Sequence, residues 1–169
     1  MKAAELRARQ RPLKDRYRED AASALTPARA VAVVDQGGVA CRVSSDAGEV
    51  ASGLHPAAGG DGTLACSADL LLGSLAACAG VTLAAVATAL DVTLRDARVV
   101  VEGHWDARGT LGVDRVTPVG LRDISLTVEL DTDAPDAVVD RLVNLTERYC
   151  VIAQTLADPP EVSFSSRRL

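Results

Sequence analysis

The chain has 169 residues, 48% of them hydrophobic, which is enough for one ordinary domain with its own core. Its formal net charge of −5 argues against a nucleic-acid-binding surface, because such a surface needs clustered excess Lys and Arg. Aromatic residues make up only 2% of the chain, so the core must consist mainly of Ala, Val and Leu, and we expect a second copy to cover part of its surface.

Residues 1–25 are rich in charge and predict a helical arm on the surface, followed by a single domain over residues 26–169. Charged residues, among them Glu5, Lys14 and Arg18, recur at helical spacings with little apolar face. The segment lacks the apolar stretch of a secretory signal, so we expect a cytoplasmic protein. In that compartment cysteines stay reduced unless they take part in redox chemistry.

Three short Val-rich segments come next, and the turn residues between them predict an antiparallel meander. The segments are residues 28–35, 39–45 and 48–54, separated by Gln36-Gly37-Gly38 and Asp46-Ala47-Gly48. A polar loop rich in Gly and Pro then leads to Ser67, which we expect to be the N-cap of a helix with Asp69 in its first turn.

Residues 70–90, LLLGSLAACAGVTLAAVATAL, contain no charge and are long enough to span a membrane. Twelve of these 21 residues are Gly, Ala, Ser or Thr, and neither aromatic residues nor a Lys/Arg cluster flank them, which argues against a membrane span. A helix that is apolar on every side is typical of a buried position. We therefore expect the central helix of a soluble core, enclosed on all sides.

The pattern beyond Asp91 predicts strands first and helices afterwards. Residues 92–107 and 119–131 are strand-like, with a turn or insertion at 107–118. An amphipathic helix is expected over 134–145, with Pro135 near its first turn. Cys150 opens a second short apolar helix, and residues 161–166 predict a last strand. This order predicts an α+β fold in which an antiparallel sheet packs over one buried helix.

The chain has four cysteines, at positions 41, 66, 78 and 150, and no two of them have C-x-x-C spacing. Neither His55 nor His104 belongs to a metal-ligand motif, so a zinc site is not indicated. Cys41 and Cys66 are most simply small packing residues. The apolar surroundings of Cys78 would raise its pKa, whereas Arg148 and a helix start would lower the pKa of Cys150. The residues alone leave both packing and redox chemistry open for this pair.

Several segments resemble the osmotically inducible protein C and organic hydroperoxide resistance (OsmC/Ohr) family of thiol peroxidases, in an OsmC-like branch. They are CSADLLLGSLAAC ending at Cys78, RYCVIAQTL around Cys150, and GGVACRVSSDAGEV with the loop after it, so the similarity covers roughly residues 28–167. The resemblance implies an OsmC-like α+β fold: an antiparallel sheet wrapped around long buried central helices in an intertwined homodimer.

The resemblance also implies a reaction. Cys78 would be the peroxidatic cysteine, whose thiolate attacks an organic hydroperoxide and becomes a sulfenic acid. Cys150 would be the resolving cysteine, forming a disulfide that a dithiol reductant, of lipoyl type or a small thiol, reopens. Neither a cofactor nor a metal is expected, and neither nucleic acid nor a membrane is an expected partner.

Three departures from the family pattern bear on this expectation. Asp69 stands where the family usually has Glu, and Val151 follows the resolving cysteine where Pro is usual. The family's activating arginine has only Arg42, or alternatively Arg29, as a counterpart here. If neither reaches Cys78, its thiol stays protonated and slow. The alternative hypothesis is a non-catalytic dimer that binds a small apolar ligand or senses oxidation.

Overall fold

A computed structural model describes residues 1–168, and its strands and helices follow the α+β order expected from the sequence. The helices are α1 (Ala3–Glu19), α2 (Ser67–Ala89), α3 (Ala107–Thr110), α4 (Asp136–Tyr149) and α5 (Val151–Ala157). The strands are β1 (Ala30–Asp35), β2 (Ala40–Ser45), β3 (Gly48–Gly53), β4 (Asp96–His104) and β5 (Arg122–Asp131). Short 3-10 turns lie at Ala21–Ala24 and Pro56–Ala58.

Helix α1 is the surface helix expected from its charge pattern. It has no buried residue, and ion pairs such as Arg9–Glu5 at 2.9 Å link successive turns. Such exposed pairs contribute little to stability. The helix contacts α2, so it lies against the domain along part of its length.

The predicted meander is confirmed, because β1, β2 and β3 form an antiparallel sheet in that order. The β1–β2 turn is held by the carboxylate of Asp35, which accepts hydrogen bonds from the N–H groups of Gly37 and Gly38 at 3.0 and 3.2 Å. A Cβ on Gly38 would lie only 2.7 Å from that carboxylate, so a larger residue there would displace the Asp35 side chain from the turn. Every residue of β1 is exposed, so this sheet is incompletely covered within one copy.

Helix α2 begins at Ser67 with Cys66 at its N-cap, so Ser67 is a helical residue and not the expected cap. Its buried residues recur every four positions and therefore form one face: Leu75, Ala79, Leu83 and Ala87. Other faces remain exposed, with Val81 73% accessible, so enclosure on all sides is wrong for a single copy. Small residues dominate the uncovered faces.

By length and mean hydropathy alone, α2 is the one helix in residues 1–168 that is apolar enough to cross a membrane, a property shared by core helices of soluble proteins. Its buried face packs on β4, which pairs antiparallel with β5 in a separate two-stranded sheet. The side chains of β4 alternate, so Ala97, Val99 and Val101 turn inward. Helix α4 adds Leu142, which is completely buried against the far end of α2.

The C-terminal part differs from expectation in two places. Helix α4 starts at Asp136, with Pro135 at the N-cap position, and extends four residues beyond the predicted end to Tyr149. The predicted strand over residues 161–166 is wrong, since these residues are not in a strand and all of them are exposed. Phe164, for example, is 95% accessible. The apolar alternation there is local, but a strand needs a neighbouring strand to pair with, and none of the five strands pairs with these residues.

Candidate functional site

Folding brings Cys78 and Cys150 together although 72 residues separate them in the sequence. Cys78 lies in the middle of α2, and Cys150 is the single residue between α4 and α5. The two side chains pack in one cluster with Leu75 and Ala79, where Cys150 is 1% exposed and Cys78 is half-buried. Both are free thiols in this structure.

The backbone around Cys150 explains how α5 comes to face α2. Cys150 has extended angles, φ −74° and ψ 105°, so the chain turns between the two helices at this residue. Its N–H donates back to the carbonyl of Thr146 at 2.9 Å, and its own carbonyl accepts from the N–H of Gln154 at 3.0 Å. The first N–H groups of α5 have no acceptor within the helix, so they are free for another partner.

That partner is the sulfur of Cys78. Burial raises the pKa of Cys78, but hydrogen bonds from the backbone N–H of Ile152, the thiol of Cys150 and the backbone N–H of Val151 favour the thiolate. Together with a smaller contribution from Thr82 they outweigh burial, so the pKa of Cys78 lies below its ordinary value. We expected a reactive Cys78 to need a nearby cation. In the structure, uncharged hydrogen-bond donors lower its pKa instead.

Cys150 has the opposite balance. Burial is the largest cause and raises the pKa of Cys150, and its contact with the Cys78 sulfur raises this pKa further. The expectation that Arg148 lowers this pKa is wrong, because the guanidinium of Arg148 lies over the ring of Tyr149, 5.6 Å from its centre. Of the two thiols, Cys78 therefore loses its proton at the lower pH. Cys150 keeps its proton and donates a hydrogen bond to the Cys78 sulfur.

Thr82 lies one helical turn after Cys78. Its hydroxyl donates to the carbonyl oxygen of Cys78 at 2.8 Å and is also within reach of the Cys78 sulfur. The hydroxyl has one proton, which serves one acceptor at a time. Thr82 is therefore a weaker support for the thiolate than the two backbone N–H groups.

Three other residues considered for the site are exposed within this chain: Asp69, Arg42 and Arg29. Asp69 is an exposed residue nine positions before Cys78, which corresponds to about 14 Å along the helix axis. Arg42 points to solvent from β2, where its guanidinium is 3.8 Å from the carboxylate of Glu49. Arg29 precedes β1 and is exposed. Any action of these residues on Cys78 stays a prediction.

The remaining cysteines are separate from this pair. Cys41 lies in β2 and Cys66 caps α2, both half-buried and free. Within residues 1–168, no group of three or more His, Cys, Asp or Glu side chains is arranged to hold a metal ion.

An apolar cavity of about 570 Å³ lies beside the cysteine pair. Cys150 contributes to its wall, as do Leu75 and Ala79 of α2, whereas Cys78 does not. Apolar side chains from β5, α4 and α5 form most of the rest, and Arg122, Asp123 and Glu147 add charge. Cavities of this volume and character are typical of small-molecule sites.

The donors from Val151, Ile152 and Thr82 were not expected from the sequence. One signal was present, since the apolar segment after Cys150 indicates a helix start, and a helix start has free N–H groups. The sequence suggested that these groups act on Cys150 itself. In the structure they act on both sulfurs, because α5 packs against α2: the N–H groups of Ile152 and Val151 lower the pKa of Cys78, and those of Ala153 and Ile152 lower that of Cys150 without offsetting its burial.

Comparison with known proteins gives a family and a fold. The family profile described as OsmC-like protein matches residues 60–165, more than half of the chain. A search of curated proteins gives no match.

Several solved structures share the fold at low identity. An OsmC-like protein from Mycoplasma pneumoniae aligns with a TM-score of 0.66 and 21% identity over 79% of this chain and 89% of its own. An organic hydroperoxide resistance protein from Elizabethkingia anophelis gives 0.63 and 17%, covering 80% and 91%. One described as organic hydroperoxide resistance protein OsmC, from Legionella pneumophila, gives 0.57 and 20%, covering 80% and 92%.

Proposed function

This chain belongs to the OsmC-like protein family, and we propose that it is a thiol-dependent peroxidase that reduces organic hydroperoxides through Cys78 and Cys150. The observation that carries the proposal is the packing of the two free thiols against each other, with the pKa of Cys78 lowered and that of Cys150 raised. Peroxide reduction needs this combination, because the thiolate is the nucleophile that attacks the peroxide. A nearby thiol is then needed to condense with the sulfenic acid that forms. Structural neighbours named for hydroperoxide resistance support the substrate class.

The steps balance without a cofactor. The Cys78 thiolate attacks the terminal oxygen of the hydroperoxide, the O–O bond breaks, and the alkoxide leaves with a proton as an alcohol. The resulting sulfenic acid condenses with the Cys150 thiol, which releases water and forms a disulfide. A dithiol then reduces this disulfide and is itself oxidised.

A cytoplasmic homodimer is the setting that we propose for this reaction. The exposed valines of β1 and the uncovered faces of α2 support a second copy as the partner, because large apolar patches on a soluble protein mark interfaces. Four free cysteines support a reducing compartment.

Activity is tested with purified protein, cumene hydroperoxide and a dithiol such as dihydrolipoamide. We expect steady consumption by the wild type, none by Cys78→Ser, and a single turnover by Cys150→Ser that leaves a sulfenic acid detectable with dimedone. Cys41→Ser is the matched control, since it removes a free thiol that is not in the cluster of Cys78 and Cys150. Wild-type protein that consumes no hydroperoxide would contradict the proposal.

The cavity beside Cys150 supports a second candidate, a non-catalytic dimer that binds a small apolar ligand or senses oxidation. This candidate predicts that a fluorescent fatty acid binds the reduced wild type with micromolar affinity while peroxide is not turned over. Turnover together with weak binding would favour the peroxidase.

A further inference from the structure

Helix α1 has a narrow basic face. Four exposed cations lie within about 60° of the helix circumference and form the basic stripe: Arg7, Arg11, Lys14 and Arg18. An open groove follows this stripe, bordered by one acid, Asp15, which pairs with Arg18 at 2.7 Å and lies 3.8 Å from Arg11. Arg7 and Lys14 have no carboxylate within 4 Å among residues 1–168. Most of the positive charge of the stripe is therefore available to another molecule.

The basic stripe is not the face with which α1 packs on its own copy. The half-buried residues of α1 lie about a quarter turn away from the stripe: Ala3, Leu6, Gln10 and Tyr17. They are on the side of α1 that is turned toward the rest of the chain, where α1 contacts α2 and the 3-10 turn at Ala21–Ala24. The helix can therefore keep these contacts and still present its cations outward.

Helix α4 has a face of opposite charge. Asp136, Asp140 and Glu147 are exposed, recur four and seven residues apart, and form the acidic stripe. This stripe lies about a third of a turn from the buried Leu142 and Thr146. No Lys, Arg or His side chain of the part of the chain that the structure describes pairs with its three carboxylates. The two stripes are thus not joined within one copy.

The spacing of the two stripes matches. Cations at positions 7, 11 and 18 are spaced four and seven residues apart, and so are those at 18, 14 and 7 when α1 runs in the opposite direction. Each acid of α4 can therefore face one cation along about 16 Å of helix. The antiparallel direction is favoured, because it places the positive start of each helix beside the negative end of the other. Lys14 then faces Asp140.

The charge distribution of the chain favours a second copy as the partner. Residues 1–20 contain seven of the 18 Lys and Arg residues and four of the 23 Asp and Glu residues, so the rest of the chain has a large excess of acid. This excess would repel a nucleic acid that approached the arm. A second copy offers an acidic stripe whose spacing fits that of the basic stripe.

We propose that α1 of one copy docks along α4 of a second copy, with the basic stripe against the acidic stripe. The inference rests on the homodimer of the proposed function, which supplies the second copy. Exposed ion pairs contribute little individually, so these pairs do not hold the dimer together by themselves. Within a dimer formed by other surfaces, residues 20–29 tether α1 and raise its effective concentration at the partner. Because Glu147 also lines the apolar cavity, the docked arm borders that cavity.

The first test uses the scarcity of lysine in this chain, which contains only Lys2 and Lys14. A zero-length carbodiimide crosslinker joins an amine to a carboxylate in direct contact with it. We expect a covalent dimer on a reducing gel, in which peptide mass spectrometry finds Lys14 linked to Asp140. About 0.5 M NaCl should lower its yield at least fivefold, because salt screens exposed pairs, while sedimentation velocity still shows the dimer.

The outcomes of this test separate the inference from the homodimer. Links of Lys14 only within one copy, links only to carboxylates outside the acidic stripe, or a yield that salt does not change would overturn the inference and leave the dimer in place. A protein that sediments as a monomer at every concentration would remove the homodimer and the docked arm together.

The second test exchanges the charges at the ends of the stripes. Asp136→Arg/Glu147→Arg and Arg7→Glu/Arg18→Glu should each lower the yield of covalent dimer about tenfold, because like charges then face each other. The four changes together should restore the yield, since opposite charges meet again in either direction. Misfolding in a double variant would not be repaired by two further changes. Yields that do not fall, or that fall without recovery, would overturn the inference.

Arg9→Glu/Arg16→Glu is the matched control for the charge exchange. Both residues are exposed and lie on the face of α1 opposite the basic stripe, so this variant changes the net charge of the arm by the same amount. Its yield of covalent dimer should equal that of the wild type. A tenfold loss in this variant would mean that the net charge of the arm, and not the basic stripe, governs the contact, and would also overturn the inference.

Discussion

The chain has two regions that differ in how much of their apolar surface is buried within one copy. The C-terminal region, residues 67–157, holds every fully buried apolar residue found within residues 1–168: Leu75, Ala79, Leu83, Ala87, Leu142 and Cys150. The N-terminal region, residues 1–53, has ordered hydrogen bonding in its sheet but little burial, with Val33 67% and Val34 76% exposed.

Backbone hydrogen bonding and the burial of apolar surface are satisfied separately in this fold. The β1–β3 meander pairs its backbone within one copy, yet its apolar surface is uncovered. The cysteine pair lies wholly in the C-terminal region, and the donors that lower the pKa of Cys78 belong to the same copy. The second copy that we propose would therefore bury surface, since the two sulfurs already meet within one copy.

The largest expected effect is on the core of the C-terminal region. Leu142→Ala empties a completely buried position and should lower the free energy of unfolding by about 2–5 kcal/mol, measured by urea denaturation. Leu25→Ala is the matched control, since Leu25 is 82% exposed, and its effect should stay within about 0.5 kcal/mol. Equal losses for the two variants would mean that the regions are equally packed.

The next effect concerns the uncovered sheet. The double variant Val33→Lys/Val34→Lys places a charge on each face of β1, and it should weaken self-association about a hundredfold, which corresponds to about 2.7 kcal/mol. Sedimentation velocity over a concentration series measures this change. Ser45→Lys, an exposed position on β2, is the control. Unaltered association of the double variant would show that β1 is not the surface covered by a second copy.

Much of the fold could be predicted because its signals are local. Alternation along Ala97, Val99 and Val101 indicates a strand with one buried face, and turn residues such as Gly37 and Gly38 mark the meander. Residues 161–166 show the limit, since alternation cannot tell whether a pairing strand is present. The boundary of α4 was missed because Thr146 continues the buried face beyond Leu145.

The site was less predictable than the fold. The approach of Cys78 to Cys150 was implied by family resemblance, and no spacing in the sequence required it. The direction of each pKa shift was wrongly expected, because burial outweighs the N–H groups of α5 at Cys150, whereas at Cys78 the outcome depends on where those free N–H groups point. That orientation follows from the packing of α5 on α2, which involves residues more than 70 positions apart.

A smaller effect tests the backbone donors. Val151→Pro removes one N–H, and a hydrogen bond to a charged group is worth about 1.5–3 kcal/mol, so alkylation of Cys78 by iodoacetamide at neutral pH should slow about tenfold. The pKa of Cys78 rises, so the rate profile moves towards higher pH. Proline fits the first helical position, and the extended angles of Cys150 suit a residue before proline, so the fold is retained.

Val151→Ala is the control for this variant, because it shortens the side chain and keeps the N–H. Its alkylation profile should match that of the wild type. A Val151→Pro protein whose profile also matches the wild type would show that the backbone N–H of Val151 does not stabilise the thiolate.

The smallest effect is expected at Arg42. Its guanidinium is exposed and lies 3.8 Å from Glu49, a pairing worth about 0–1 kcal/mol, so Arg42→Ala should barely change stability or the alkylation rate of Cys78. Arg98→Ala, which removes a similar exposed pairing with Glu129, is the control. A loss of Cys78 reactivity as large as that of Val151→Pro would mean that a second copy carries its Arg42 to this sulfur. In that case the N-terminal region would supply chemistry as well as surface, and a single copy would not determine the reactivity of Cys78.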